Sequence, residues 1–199
     1  MMKSCLILDY GVGNIGSIES FLKQHHYKVL YGNSISQITE SDLLVLPGVG
    51  SFKEASRNLL SLKLIDPIRE RHFASKPILG ICLGLQLLTE GSAESPDSPG
   101  IGIFPGMTER LSEFSNIGWD SIQIAQSNAL SKEYFYFNHS YAPHHIRGNR
   151  FNLDSTNGGF KALIVENRTV GVQFHPEKSQ KAGSMFLSWV EASIWASDD

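Results

Sequence analysis

The sequence predicts an α/β protein with a central mixed, mostly parallel sheet, flanked by helices and extended by added antiparallel strands. Three observations carry this. In the first half, short apolar runs that stop at glycine or proline alternate with amphipathic stretches. Those runs are continuous in hydrophobicity, as in strands covered on both faces. Past a Gly/Pro/Ser-rich stretch, the pattern becomes short strand-like pieces separated by turn residues, which reads as antiparallel pairing.

Taken in order, Cys5 to Asp9 is an apolar strand stopped by Gly11, Gly13 and Gly16. Asn14 to His25 follows as a helix, with Ile15, Ile18, Phe21 and Leu22 on one face. Tyr27 to Tyr31 and Leu43 to Leu46 are further strands, the latter ended by Pro47-Gly48-Val49-Gly50. Lys53 to Phe73 reads as helix, with a break expected near Pro67. Pro77 to Ile81 is a strand and Leu83 to Glu90 a helix; this strand–helix alternation implies βαβ units. Ser92 to Gly106 reads as loop. Strands are then expected at Ser121 to Ala125, Tyr134 to Phe137, Lys161 to Glu166 and Val170 to Phe174, and a closing helix over Ala182 to Ala196.

Composition removes several classes of function. A chain of 199 residues fits one domain, 1–199, and needs no disulfide or metal staple to hold its core. A hydrophobic share of 41% with 19% charged residues excludes disorder and coiled coil. Net charge −3 gives no electrostatic footprint for nucleic acid. No apolar run reaches the roughly 20 residues of a membrane-spanning helix. The start, Met1 to Gly11, is too weakly apolar for a signal peptide. Two cysteines build no disulfide framework, so the cytoplasm is the expected compartment.

The strongest local chemical signal is Gly80-Ile81-Cys82-Leu83-Gly84. It has the G-x-S-x-G spacing of a nucleophile elbow, with cysteine in place of serine. Such a turn strains the backbone, needs small flanking residues, and puts the sulfur at a helix N-terminus that favours the thiolate. On these residues alone, a nucleophile and a buried structural cysteine are equally open.

A thiolate nucleophile needs a base. Among the seven histidines, His175 stands out, in Val172-Gln173-Phe174-His175-Pro176-Glu177. A strand ends there, and a carboxylate two residues on can orient the imidazole and stabilise its charged form. His25, His26, His72, His144 and His145 read as surface residues, and His139 lies just past a strand. Cys82, His175 and Glu177 together make a coherent triad.

The Pro47-Gly48-Val49-Gly50 loop would lie at the same carboxyl edge of the sheet. Backbone amides of Val49 or Gly50 there, with the amide of Leu83, are candidate oxyanion donors, although a plain βα turn fits the loop as well. Gly11 to Gly16 fits the dinucleotide string G-x-G-x-x-G, but the expected acid is missing around Lys28 to Asn33. No Cys/His cluster has zinc spacing, and no phosphate-binding P-loop is present. No metal and no cofactor are therefore expected.

Taken together, these stretches resemble the class I (triad) glutamine amidotransferases, and most nearly the glutaminase subunits of imidazole glycerol phosphate synthases. The resemblance rests on Asp9 to Asn14, Leu46 to Phe52, Leu79 to Leu88, Ile117 to Asp120, Tyr136 to Tyr141 and Gly171 to Ser179. It implies a flavodoxin-like amidotransferase fold and a definite chemistry. Cys82 attacks the side-chain amide of glutamine; His175, oriented by Glu177, shuttles the proton; a γ-glutamyl thioester is then hydrolysed. It further implies that Val49 and Gly50 sit on the oxyanion strand, and that Gly48, Gln86, Glu94, His139, Ser140 and Tyr141 hold the glutamine. Asn14, Trp119 and Lys178 match positions at the interface with a HisF-type (β/α)8 cyclase subunit. In the resulting heterodimer that partner would receive the ammonia and turn on the glutaminase for histidine biosynthesis.

One stretch departs from this pattern: Ser115-Asn116-Ile117 stands where the family usually has Pro-His-Met before Gly-Trp. It leaves open a paralogue that supplies ammonia for amidating a surface-polysaccharide sugar. A non-catalytic partner-binding homologue is a third reading, and the intact Cys82, His175 and Glu177 speak against it.

Overall fold

The computed structural model describes residues 2–111, 115–123, 130, 133–147, 151–156 and 158–196. Its first half runs β1 (Ser4–Leu8), α1 (Ile15–Gln24), β2 (Lys28–Gly32), α2 (Ile35–Glu40), β3 (Leu43–Leu46), α3 (Phe52–Ser61), α4 (Ile65–Phe73), β4 (Ile78–Ile81) and α5 (Leu83–Leu88). Then come β5 (Thr89–Ser92), β6 (Phe104–Arg110), β7 (Asn116–Ser121), β8 (Tyr134–His139), β9 (Tyr141–Ile146), β10 (Phe151–Asp154), β11 (Lys161–Glu166) and β12 (Thr169–Val172). A 3-10 turn over Pro176–Lys178 leads into α6 (Gln180–Ser193).

The central sheet has seven strands in the order β10-β11-β12-β4-β3-β1-β2. Strands β2, β1, β3, β4 and β12 are mutually parallel, whereas β11 adds antiparallel to β12 and β10 antiparallel to β11. Two smaller sheets, β5-β6-β9 and β7-β8, lie apart from it.

Alternation along the parallel strands sorts the core into two layers. Cys5, Ile7, Val45, Leu79, Ile81 and Val172 face one side, where α1 contributes Ile18, Phe21 and Leu22 and α6 contributes Phe186, Leu187 and Val190. Leu6, Leu8, Leu44, Leu46 and Ile78 face the other, against Phe52 and Leu59 of α3, Ile68 of α4, and Leu85 and Leu88 of α5. Both faces are dry, which is why these strands read as unbroken apolar runs.

The structure corrects several expected elements. The helix expected over Lys53 to Phe73 breaks at Leu62 to Leu64, with Lys63 at φ 55°, and not at Pro67. Pro67 falls in the first turn of α4, where its missing N–H has no intrahelical acceptor to lose. The helix after Cys82 stops at Leu88, because the backbone turns extended at Thr89 (φ −75°, ψ 179°) and begins β5. The stretch expected as loop up to Gly106 contains the start of β6, despite Pro105. The strand expected at Ser121 to Ala125 lies earlier, as β7: Ile122 makes only an isolated bridge to Ser155, and 124–125 lie outside the described residues. Helix α2 lies outside the expected elements, although the sequence carries its signal: Ser34 and Gln37 form a reciprocal capping box.

Candidate active site

Strands β3, β4 and β12 are parallel neighbours, so the chain leaves all three at one edge of the sheet. The three segments singled out in the sequence, Pro47–Gly50, Cys82 and Gln173–Glu177, are the continuations of those strands. Their convergence therefore follows from topology.

Cys82 sits between β4 and α5 at φ 53°, ψ −104°, a backbone conformation rarely adopted by residues with a side chain. Its N–H is anchored to the Val172 carbonyl at 2.7 Å, tying the elbow to β12. The turn is tight enough to demand glycine around it. A Cβ on Gly84 would lie 2.2 Å from the Leu46 carbonyl oxygen, and one on Gly48 would lie 2.5 Å from the Leu83 nitrogen. The Pro47–Gly50 loop is thus pressed directly onto the elbow. Its entry is clamped by the buried Tyr10, whose hydroxyl donates to the Pro47 carbonyl.

His175 is 2% exposed, and its Nδ1 lies 2.8 Å from Glu177 Oε1, with the Glu177 side chain 1% exposed. The same imidazole interacts with Cys82, which favours its charged form. Burial alone would pull the imidazolium's pKa down. The hydrogen bonds to Cys82 and Glu177, with their negative charge, outweigh it and raise the pKa to about 9. The arrangement can accept a proton from the sulfur and hold it as imidazolium.

Beside the sulfur lies a cavity of about 330 Å³. Gly48, Val49 and Gly50 line one wall, with Cys82, Leu83 and Gln86 along the floor. Glu94, His139, Ser140 and Tyr141 close the remainder, so every residue expected to bind glutamine or an oxyanion lines the same space. Gln86 Nε2 donates to the Tyr141 carbonyl at 2.7 Å. Glu94 Oε1 accepts from the Phe52 N–H at 3.1 Å. Burial drives the pKa of His139 down to about 3, against the opposing hydrogen bond to the Tyr141 carbonyl, so this histidine is neutral. Its Nδ1–H makes that bond at 3.1 Å.

The three expected interface residues lie outside the cavity. Trp119 is 49% exposed on β7 and packs edge-on against Tyr136 of β8. Lys178 holds its ammonium 5.6 Å above the Tyr136 ring, and Asn14 is exposed at the start of α1. Ile117 and Tyr134, at 65% and 61% exposed, extend the apolar character of this hairpin.

Two further residues belong to the site. Asn138 lines the cavity, and its carbonyl is 3.9 Å from the Cys82 sulfur. Gln173 is fully buried with its Nε2 3.6 Å from that sulfur. The signal for Gln173 was a polar side chain inside an apolar strand end. His72, expected on the surface, is buried at 5% exposure with Nδ1 2.8 Å from Thr169 Oγ1. The Gly11–Gly16 string does not form a dinucleotide cradle: a Cβ on Gly13 would lie 2.9 Å from Pro47, so that glycine makes room for the β3 loop. Among the described residues, no group of histidine, cysteine and acidic side chains is arranged to hold a metal ion. No helix among them is long and apolar enough to cross a membrane.

Comparison with known proteins agrees with this geometry. The profile of the family Glutamine amidotransferase class-I matches residues 6–189. The imidazole glycerol phosphate synthase subunit HisH of Oceanobacillus iheyensis is 36% identical over 197 residues, covering 94% of this chain and 98% of that protein. The subunit of the same name from Methanopyrus kandleri is 37% identical, covering 92% and 95% of the two chains. In Schizosaccharomyces pombe, imidazole glycerol phosphate synthase hisHF is 34% identical, with 89% of this chain aligned to 36% of that longer protein. Among solved structures, a crystal structure of a glutamine amidotransferase superposes with TM-score 0.79 at 14% identity, covering 96% of this chain and 99% of that one. By both sequence profile and near-full-length relatives, the chain belongs to the class I glutamine amidotransferases and, within them, to the HisH family.

Proposed function

We propose that this protein, as one domain spanning residues 1–199, is the glutamine-hydrolysing subunit of an imidazole glycerol phosphate synthase and acts in the cytoplasm. The observation that carries the reading is the buried Cys82–His175–Glu177 line beside a cavity edged by the Gly48–Gly50 loop.

Glutamine enters with its side-chain amide over Cys82. Gln86, Glu94, Gly48 and the segment His139–Tyr141 hold its amino-acid end. His175 takes the thiol proton and the sulfur attacks the amide carbon, with Glu177 holding the imidazolium. The developing oxyanion is met by the backbone N–H of Leu83 and by the Val49 or Gly50 amide once that loop turns inward. Collapse of the tetrahedral intermediate expels ammonia, protonated by His175, and leaves a γ-glutamyl thioester. Water, deprotonated by His175, hydrolyses it to glutamate.

Trp119, Lys178 and Asn14 then form the seat of a (β/α)8 cyclase subunit in a heterodimer. Direct transfer preserves the ammonia, which in neutral water would be protonated and unreactive. The HisH identity of the relatives supports the histidine-pathway acceptor over a sugar-amidating paralogue. The test is glutamate formation with and without a HisF-type cyclase, together with conversion of the nucleotide substrate. Strong stimulation and product formation support the reading. Glutaminase without transfer overturns the histidine-pathway assignment.

A further inference from the structure

We infer that Gln173 is a further catalytic residue: its side-chain amide donates a hydrogen bond to the Cys82 sulfur and stabilises the charge that sulfur carries when it attacks. The inference rests on the proposed reading of Cys82 as nucleophile.

Alternation at the end of β12 sends this side chain to the elbow. Val170, Val172 and Phe174 belong to the core layer under α6, so Gly171 and Gln173 face the opposite layer. Gly171 confirms the direction: a Cβ there would lie 2.4 Å from Leu85 of α5. Gln173 is fully buried between two apolar neighbours, Val172 and Phe174. A buried amide at such a place is costly unless each end finds a partner.

Both ends do, and their order is dictated. The Tyr141 carbonyl can only accept, so the Gln86 amide must present its NH₂ there, at 2.7 Å. The same NH₂ reaches the Gln173 Oε1 at 3.4 Å. That fixes the Gln173 carbonyl toward Gln86 and its NH₂ toward the sulfur, at 3.6 Å. The flipped amide would set donor against donor at Gln86 and oxygen lone pairs against sulfur. A neutral thiol or thioester sulfur is a poor acceptor and a thiolate a strong one. The bond therefore strengthens as His175 removes the proton, and again when the thiolate leaves at the end of the cycle.

The test is alkylation of Cys82 by iodoacetamide, in which the sulfur displaces iodide, followed across pH with the adduct mapped by mass spectrometry. Cys5 is fully buried and serves as the internal silent site. In Gln173→Leu the rate at pH 7 should fall about tenfold, the scale of one charge-assisted hydrogen bond, and the rise of the rate with pH should move to higher pH. Gln173→Met, closer in length, is the second variant and decides if the first does not fold. Unchanged alkylation rates and pH profile in the folded variant, whatever happens to its melting temperature, overturn the inference and leave Gln173 a packing residue. Glutamine turnover by the wild-type protein separates the two claims. If the wild type turns over glutamine and the variants alkylate normally, only the role of Gln173 falls. If the wild type never hydrolyses glutamine but the variants alkylate slowly, the amide–sulfur bond stands and the nucleophile reading falls.

Discussion

Replacing Gly48 by alanine adds one methyl group at the point where the β3 loop rests on the nucleophile elbow. The new Cβ would lie 2.4 Å from the Ile81 carbonyl oxygen and 2.5 Å from the backbone nitrogens of Leu83 and Gly84. Ordinary contact begins at 3.4 Å, so loop and elbow must separate by 3.4 − 2.4 = 1.0 Å. All three opposing atoms are backbone, and no rotamer change relieves the overlap. One side of the gap carries Cys82 and the Leu83 amide, the other the Val49 and Gly50 amides, so the retreat pulls apart the two halves of the proposed oxyanion site. A misplacement on the order of 1 Å costs about 10²-fold in rate. Overpacking of this kind also destabilises by about 1–3 kcal/mol, with roughly 2–4 °C of melting temperature lost per kcal/mol at this chain size. Glutamate release at saturating glutamine, measured beside a melting curve, is the assay. A folded Gly48→Ala protein with wild-type kcat would refute the claim that this loop and the elbow form one catalytic unit.

Other consequences are as direct. Cys82→Ala should reduce glutamine hydrolysis to background while leaving the melting temperature within a few degrees, as read by glutamate release and calorimetry. Glu177→Gln keeps a hydrogen-bond acceptor near His175 Nδ1 but removes the charge; kcat should fall about 10²-fold or more with KM little changed. The raised pKa of His175 makes activity decline as pH rises through about 9, because the imidazolium that protonates departing ammonia is lost. In Glu177→Gln that decline should move to lower pH. The same group links stability to pH: the folded pKa exceeds the unfolded value of about 6.5, so its contribution is complete below that pH and lost through about 9, which melting curves across pH 6–10 would register. Trp119→Ala, which strips the largest ring from the exposed hairpin, should weaken binding of the cyclase partner by about 2 kcal/mol or more, measurable by titration calorimetry.

The parallel half of the fold was legible because both faces of its strands are buried. Leu43 to Leu46 and Cys5 to Leu8 show no polar interruption, and the glycines that stop Leu43 to Leu46 belong to the turn that lines the cavity. The triad was legible for the same reason: Cys82 and His175 stand at ends of such strands, where topology alone brings them together. The half-exposed strands were harder to see. β9 carries Pro143 and two histidines, β6 carries Pro105 and Gly106, and β7 alternates about Gly118, so the hydrophobic period is broken in each. The role of Gln173 is not legible in the sequence because its orientation is set by Gln86 and Tyr141, far away in the chain. The clamp of Tyr10 on Pro47 is likewise a tertiary contact between two separate βα loops.

The central claim is that the sulfur of Cys82 attacks glutamine inside the cavity bounded by Gly48–Gly50 and His139–Tyr141. The most direct measurement is labelling by a glutamine-mimicking chloroketone, with the adduct located by peptide mass spectrometry and the rate followed against added glutamine. One adduct per chain is expected, on Cys82, slowed in proportion to glutamine occupancy and absent in Cys82→Ala. Labelling at another residue, or labelling of Cys82 that glutamine does not slow, would contradict it.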